Sequence, residues 1–371
     1  MMQSQFWAGR RVFVTGHTGF KGSWLVLWLQ RLGAHVSGFA LDAPTQPALF
    51  HEAVVAEGID HILGDVRDAQ ALHTAMQQAR PEIVFHLAAQ PLVRFSYSAP
   101  VETYATNVMG TVHVLEAARR LDSVRAIVNV TSDKCYENRE TEHRYNETDA
   151  LGGHDPYSNS KACSELVTDA YRRSFFQASS RQEPQTGIAT ARAGNVIGGG
   201  DWATDRLVPD LLRAFENGEP AIVRRPHAVR PWQHVLVPLA GYLLLAEQLF
   251  QSPQHYSGAW NFGPPTDDMR PVEQIAAALT AALGEHASFE VHAEAGAPHE
   301  AGLLLLDAGK ARRELHWNSA LDLDEALAWV AQWHRERAAG RGVREITLEQ
   351  IERYEERFRS AAAPVAASES R

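Results

Sequence analysis

The sequence predicts an α/β fold: a doubly wound parallel sheet with a second, smaller α/β unit beside it. Two observations carry this. Short apolar, β-branched runs alternate with longer amphipathic stretches through the first half, the order that buries a parallel sheet between helices. After residue 194 glycine and proline become frequent, in GNVIGGGDW, RRPHAVRPWQ and NFGPPTDDMRP, and short strands mix with helices. At 371 residues the chain suffices for one large domain or two smaller ones.

In chain order, RVFVTG (11–16) reads as the first strand and SWLVLWLQRL (23–32) as the helix after it. HVSGFAL (35–41), HILGD (61–65), EIVFHLA (82–88), AIVNVTS (126–132) and GIATARA (187–193) supply further strands. AQALHTAMQQA (69–79) and NVMGTVHVLEAARRL (107–121) read as helices between them. VLVPLAGYLLLAEQLF (235–250) reads as a helix returning to the first unit, so that unit is expected over 8–193 with 228–252. The second unit, with the helix VEQIAAALTAAL (272–283), is expected over 194–227 with 253–358. The low-complexity stretch 359–371 is expected to be disordered.

Composition narrows the function. A net charge of −10 gives no support to nucleic-acid binding. Cys135 and Cys163 form no metal-type spacing and suggest no disulfide framework, and the seventeen histidines include no convincing metal pair. The N-terminus lacks a signal-peptide pattern, and no segment approaches the roughly eighteen apolar residues of a membrane span. A soluble cytoplasmic protein without a metal is expected.

The first chemical motif is TGHTGFKG, with Gly16, Gly19 and Gly22 between the first strand and its helix. Glycines there let the backbone turn sharply and approach a pyrophosphate, which the helix N-terminus stabilises. This is the Rossmann-type arrangement for a dinucleotide. Asp42, 20 residues beyond Gly22, suits a ribose hydroxyl of NAD, or belongs to a loop with the following APT. Lys21 inside the loop leaves an extra phosphate, and hence NADP, open. Asp65 and Val66 follow the third strand, where a carboxylate accepts from an adenine amino group or caps the next helix. Small residues in LAAQ (87–90) let a cofactor lie close to the backbone.

The second motif is YSNSK. Tyr157 and Lys161 stand at i and i+4, on one helix face. A nearby ammonium, with a positive nicotinamide, favours phenolate and is expected to lower the Tyr157 pKa, so that it takes a hydroxyl proton near neutrality. Ser132 ends the strand before it, followed by Asp133 and Lys134.

With these residues the chain resembles the extended short-chain dehydrogenase/reductase superfamily and, more narrowly, the CDP-glucose 4,6-dehydratases. The matching stretches are VTGHTGFKGSWL, HLAAQPLVRFSY, VTSDKCYEN, DPYSNSKACSEL, ARAGNVIGGGDWATDRLVPD, RPWQHVLVPLAGYL and NFGP. The resemblance implies NAD as cofactor, held by Gly16, Gly19, Phe20, Lys21, Gly22, Asp42, Asp65, Val66, Leu87, Ala88, Ala89, Asn107, Tyr157 and Lys161. It implies a CDP-sugar contacted by Gln90, Arg94, Asn195, Arg206, Arg230 and His299. Tyr157 would act as base on the sugar's 4-hydroxyl, Lys161 would hold the ribose, Ser132 would bond the forming ketone, and Asp133 would protonate the departing hydroxyl. Related dTDP- and GDP-sugar dehydratases carry glutamate as the base where this chain has Lys134. Lysine is ordinarily charged at neutrality, so Lys134 is a base only if its surroundings depress its pKa. Otherwise it steadies an enolate or pairs with Asp133. Trp202 and Trp232 flank the base or pack in the core. The superfamily's intersubunit bundle corresponds to helices 107–121 and 157–172, so a homodimer is expected, although their apolar faces also suit the core.

Overall fold

A computed structural model describes residues 4–176, 185–265, 268–284, 287–292 and 301–362. Its centre is a seven-stranded parallel sheet. The strands are β1 (Arg11–Thr15), β2 (His35–Ala40), β3 (Asp60–Leu63), β4 (Ile83–His86), β5 (Ala126–Val130), β6 (Gly187–Ala193) and β7 (Gly258–Phe262). They lie in the order β7-β6-β5-β4-β1-β2-β3, so the chain reverses direction across the sheet between β1 and β4. There Thr15 pairs with Phe39 on one side and His86 on the other. Helices leaving β1 and β4 go to opposite faces and leave a crevice at the strands' carboxyl ends.

Alternation along each strand fills both faces. Val12, Val14, Ile83, Phe85, Ala126 and Val128 point into the larger core, with α1 (Phe20–Arg31). Phe13, Val84 and Ile127 point into the other, with α2 (Ala69–Ala79), whose Leu72 and Met76 are buried. On that second side α3 (Pro100–Tyr104) runs through a π-helical turn (Ala105–Met109) into α4 (Gly110–Ala118), which packs beside α5 (Pro156–Tyr171).

The smaller unit covers the crevice. It holds α6 (Leu207–Glu216), then short strand pairs such as Val229–Pro231 with Met269–Pro271, and a core with Val208, Leu211, Ile275 and Leu279. After α6, α7 (Leu236–Gln251) returns to the larger core as expected, its Leu239, Leu243 and Leu245 fully buried.

Two pieces correct the expected boundary. β7 lies in the segment assigned to the second unit, yet it pairs in parallel with β6 from Gly258↔Ala189 to Phe262↔Ala193. Its Trp260 and Phe262 are fully buried, which an isolated strand could not achieve. Beyond α8 (Val272–Leu283) and α9 (Leu323–Ala338), α10 (Val343–Ala362) buries Ile351 and Tyr354 in the larger core. The Trp28 indole of α1 donates to Glu355 Oε1 of α10 at 2.8 Å. Residues 359–362 of the expected tail continue that helix, and the remainder lies outside the described residues.

Candidate active site

The crevice and its cover enclose a cavity of about 950 Å³. Its floor is the loop after β1. Gly16 has φ +75°, and a Cβ there would stand 2.7 Å from Ala88 N. A Cβ on Gly22 would stand 2.1 Å from Gly16 O. Neither position accepts a side chain, so the loop folds close under Leu87, Ala88 and Ala89 on the cavity wall. Gly19 precedes α1 and offers no capping side chain, which leaves the first-turn N–H groups for a ligand anion. This cradle fits the pyrophosphate of a dinucleotide.

Asp42 and Asp65 line the far side of the same cavity, with Val66. The Asp42 side chain is exposed and accepts from Ala43 N at 2.7 Å, which fits the loop reading and leaves the carboxylate at the cavity. Asp65 is not the helix cap: Asp68 caps α2, accepting from Gln70 N and Ala71 N. Asp65 instead accepts from Arg67 N and Nε, and the hydrogen bond from the Arg67 side chain holds its carboxyl low. Asn107 departs from expectation. It is buried off the cavity wall, accepting from Gln90 N at 2.8 Å and donating to Ser160 Oγ at 2.8 Å. It positions the loop after β4 without facing the cavity. Gln90 lines the cavity, but its side chain is engaged by Leu92 and Thr103.

The reactive groups gather where β5 ends. Ser132 caps a single 3₁₀ turn (Asp133–Cys135), accepting from Lys134 N at 3.2 Å and donating to Asp133 Oδ1 at 3.1 Å. Asp133 is 2% exposed, its Oδ2 has no partner within the protein, and burial raises its pKa. A carboxyl whose pKa is raised at a cavity wall is suited to donate a proton there. Asp155 caps α5 through Ser158 N, with Pro156 in the first turn, and this fixes Tyr157 at the cavity with Lys161 one turn on. Lys161 Nζ donates to Val130 O at 3.3 Å, and burial lowers its pKa to about 8.

Tyr157 differs from expectation. Burial pushes its phenol up to about 12, although the Ser132 hydrogen bond pulls the other way. In the protein alone desolvation outweighs the neighbouring charges, and the Lys161 ammonium is turned toward Val130 O. Lys21 reaches the same end of the cavity. Its Nζ lies 3.4 Å from Tyr242 Oη, and burial, then Arg206 and Lys161, lower its pKa to about 7. Those neighbours place it beside the reactive groups, which does not suit an extra phosphate near Asp42.

Arg94, Asn195, Arg206 and Arg230 also line the cavity, with Arg206 in electrostatic reach of Tyr157 and Arg230 of Asp133. Arg206 is fixed by Asp201 at 3.0 Å, Arg94 lies 3.9 Å from Asp205, and buried Arg230 donates to the Val229 and Ala301 carbonyls. Trp202 and Trp232 belong to core clusters and also line the cavity, each with an indole N–H that has no protein partner. His299 lies outside the described residues. Sequence reasoning missed Thr131, Asp201, Arg224 and Arg225 on the wall, and Glu165 and Arg192 behind it. Asp201 sits in the quoted GGGDW, and Arg224–Arg225 open RRPHAVRPWQ, so the signal was there. Among the described residues no three His, Cys, Asp or Glu side chains gather as a metal site.

A doubly wound sheet with a glycine cradle after β1, a serine after β5 and a Tyr–Lys pair on α5 defines an extended short-chain dehydrogenase/reductase. Residues 13–182 match the family model described as GDP-mannose 4,6 dehydratase. Among curated proteins, the CDP-glucose 4,6-dehydratase of Salmonella typhimurium is 51% identical over 90% of this chain and 93% of its own length. A dTDP-glucose 4,6-dehydratase of Xanthomonas campestris pv. campestris is 26% identical over 86% of this chain and 92% of its own. The crystal structure of DesIV, a dTDP-glucose 4,6-dehydratase from Streptomyces venezuelae with NAD bound, shares the fold. Its TM-score is 0.75 at 23% identity, over 89% of this chain and 98% of that one. The chain belongs to the CDP-glucose 4,6-dehydratase family.

Proposed function

We propose that the protein converts CDP-glucose to CDP-4-keto-6-deoxyglucose and water. The observation that carries the dehydration is the buried Asp133 carboxyl, its Oδ2 without a hydrogen-bond partner, between Ser132 and Lys134. An epimerase of this fold needs no such acid in that place. The nucleotide choice rests on the 51% identical relative.

The loop Gly16–Gly22 would hold the pyrophosphate of NAD, Asp42 a ribose, Asp65 and Val66 the adenine side, and Lys161 the nicotinamide ribose. NAD supplies an acceptor for the hydride of sugar carbon 4 and returns it at carbon 6, so no redox equivalent is consumed. Tyr157 takes the proton of the 4-hydroxyl, while Ser132 donates to the oxygen that becomes the ketone. Because burial holds Tyr157 near 12, its deprotonation depends on positive charge brought beside it with the ligands. The ketone acidifies carbon 5. Lys134 takes that proton or steadies the enolate, and Asp133 protonates the carbon 6 hydroxyl, which leaves as water. A proton returned to carbon 5 completes the product. Arg206 and Arg230 would bind the diphosphate, whose oxygens match guanidinium forks, with Arg94 and Asn195 beside it.

The reading includes a homodimer. Val101, Met109, Leu166 and Phe175 are exposed on α3 to α5 and the turns that continue them, an apolar surface that suits a second copy of the chain. It also includes a cytoplasmic site of action, supplying deoxysugars for surface polysaccharides. Among the described residues no helix is long and apolar enough to cross a membrane.

The test is incubation with CDP-, dTDP-, UDP- and GDP-glucose and catalytic NAD. CDP-glucose should give a 4-keto sugar fastest, without net NADH. A win by another nucleotide of more than about tenfold, about 1.4 kcal/mol, removes the CDP assignment. Stoichiometric NADH would indicate a simple dehydrogenase.

A further inference from the structure

Behind the reactive turn lies a buried ion pair that the mechanism leaves unused. Glu165 on α5 and Arg192 on β6 are each 3% exposed at their side chains. Arg192 Nε donates to Glu165 Oε1 at 2.9 Å and Nη2 to Oε2 at 2.8 Å, a two-pronged contact. Each partner also reaches one end of the turn. Thr131 Oγ1 donates to Glu165 Oε1 in a short hydrogen bond, and Arg192 Nη1 donates to Tyr136 Oη at 2.8 Å. Thr131 precedes Ser132 and Tyr136 follows Cys135, so Ser132, Asp133, Lys134 and Cys135 are strung between two side chains fixed to one pair. Tyr136 is tied again, donating to Asn261 Oδ1 of β7 at 2.7 Å.

We infer that Glu165 and Arg192 are positioning residues, which hold the Ser132–Asp133–Lys134 turn in register with Tyr157. The inference rests on the dehydratase reading for the role of the turn. The pair touches neither the cavity nor the reacting atoms. A buried charge pair is a weak device for stability, since well-packed apolar residues serve as well, but its fixed geometry suits holding several groups in one arrangement. Glu165 is one helical turn from Lys161, so one rigid helix carries both the Tyr–Lys pair and the anchor of the turn.

Removing Glu165 or Arg192 outright leaves a buried charge unpaired and endangers folding. Near-isosteric variants at the ends of the network avoid this. Thr131→Val and Tyr136→Phe each cut one tie to the turn. Thr190→Val is the control: it deletes the 2.6 Å hydrogen bond from Thr190 Oγ1 to Glu165 Oε2, the oxygen that does not bond Thr131, and leaves both ties to the turn in place. Cys135 supplies a readout that needs no substrate, because it is buried inside the turn while Cys163 is partly exposed. With CDP-glucose, Thr131→Val and Tyr136→Phe should lower kcat by about tenfold or more at little-changed KM. In the full-length protein, alkylation of Cys135 read by mass spectrometry should speed up by about tenfold or more in the same two variants. Thr131→Ser should restore both readouts, and Thr190→Val should disturb neither even if it lowers Tm. Equal effects of Thr131→Val and Thr190→Val, or protection of Cys135 unchanged by Thr131→Val, would overturn the inference. If the Cys135 pattern holds but the wild type leaves CDP-glucose untouched, the anchoring stands and the dehydratase reading falls.

Discussion

Asp133 joins stability and chemistry in one residue. Burial raises its pKa above the ordinary 3.8, so between those two values the native state binds more protons than the unfolded one. The carboxyl's contribution to stability is then negative and grows as pH rises through that window. Asp133→Asn should therefore raise Tm relative to wild type at neutral pH, and the difference should shrink as pH falls through that window toward about 4. It should also abolish turnover, because the amide cannot protonate a leaving hydroxyl. Thermal unfolding at acid and neutral pH checks the first expectation, and an unchanged Tm difference would contradict it. Lys134→Met should leave the first oxidation intact and cut product formation by about 10²-fold, as for loss of a general base. Near-normal turnover in that variant would leave Lys134 as the ion-pair partner of Asp133. Ser132, Tyr157 and Lys161 were legible in the sequence because their spacing follows from one strand end and one helix turn. The link from Glu165 to Arg192 was not, since it joins α5 to β6 across 27 positions and exists only once the sheet is assembled. The sign of the Tyr157 shift was likewise hidden, because it depends on burial.

Among the elements, the loop from β1 to α1 makes the most direct demand on residue type. A Gly22→Ala side chain would meet Gly16 O and His17 Cα at 2.1 and 2.8 Å, both backbone, so the loop must move. NAD affinity should fall by about tenfold or more, about 1.4 kcal/mol, by isothermal titration. An unchanged Kd would mean that the cradle does not hold the cofactor. Helices 69–79 and 272–283 were read with the bounds the structure gives, since amphipathic runs between turn residues fix their own limits. The helix expected over 107–121 instead begins at Pro100 as α3 and passes through a π turn. That turn carries Asn107, whose amide reaches across to Gln90 and Ser160, a tertiary demand that periodicity does not record. β7 was hidden for a related reason: GAWNF becomes a sheet strand through pairing with β6, and the Gly- and Pro-rich sequence after it suggested the second unit.

At the scale of the whole molecule β7, α7 and α10 follow the start of the second unit in sequence yet pack in the larger core, while the smaller unit keeps a core of its own. If the exposed apolar surface on α3 to α5 makes the proposed dimer, Leu166→Arg with Met109→Glu should yield a monomer by light scattering. A dimer surviving both changes would move the interface elsewhere. The central claim is that one hydride leaves carbon 4 and arrives at carbon 6 of the same sugar. The direct measurement uses CDP-glucose carrying deuterium at carbon 4, catalytic NAD and ordinary water, with the product read by NMR and mass spectrometry. The account predicts deuterium at carbon 6 of CDP-4-keto-6-deoxyglucose and a solvent proton at carbon 5. Deuterium retained at carbon 4, lost to solvent or accumulated in NADH would contradict it.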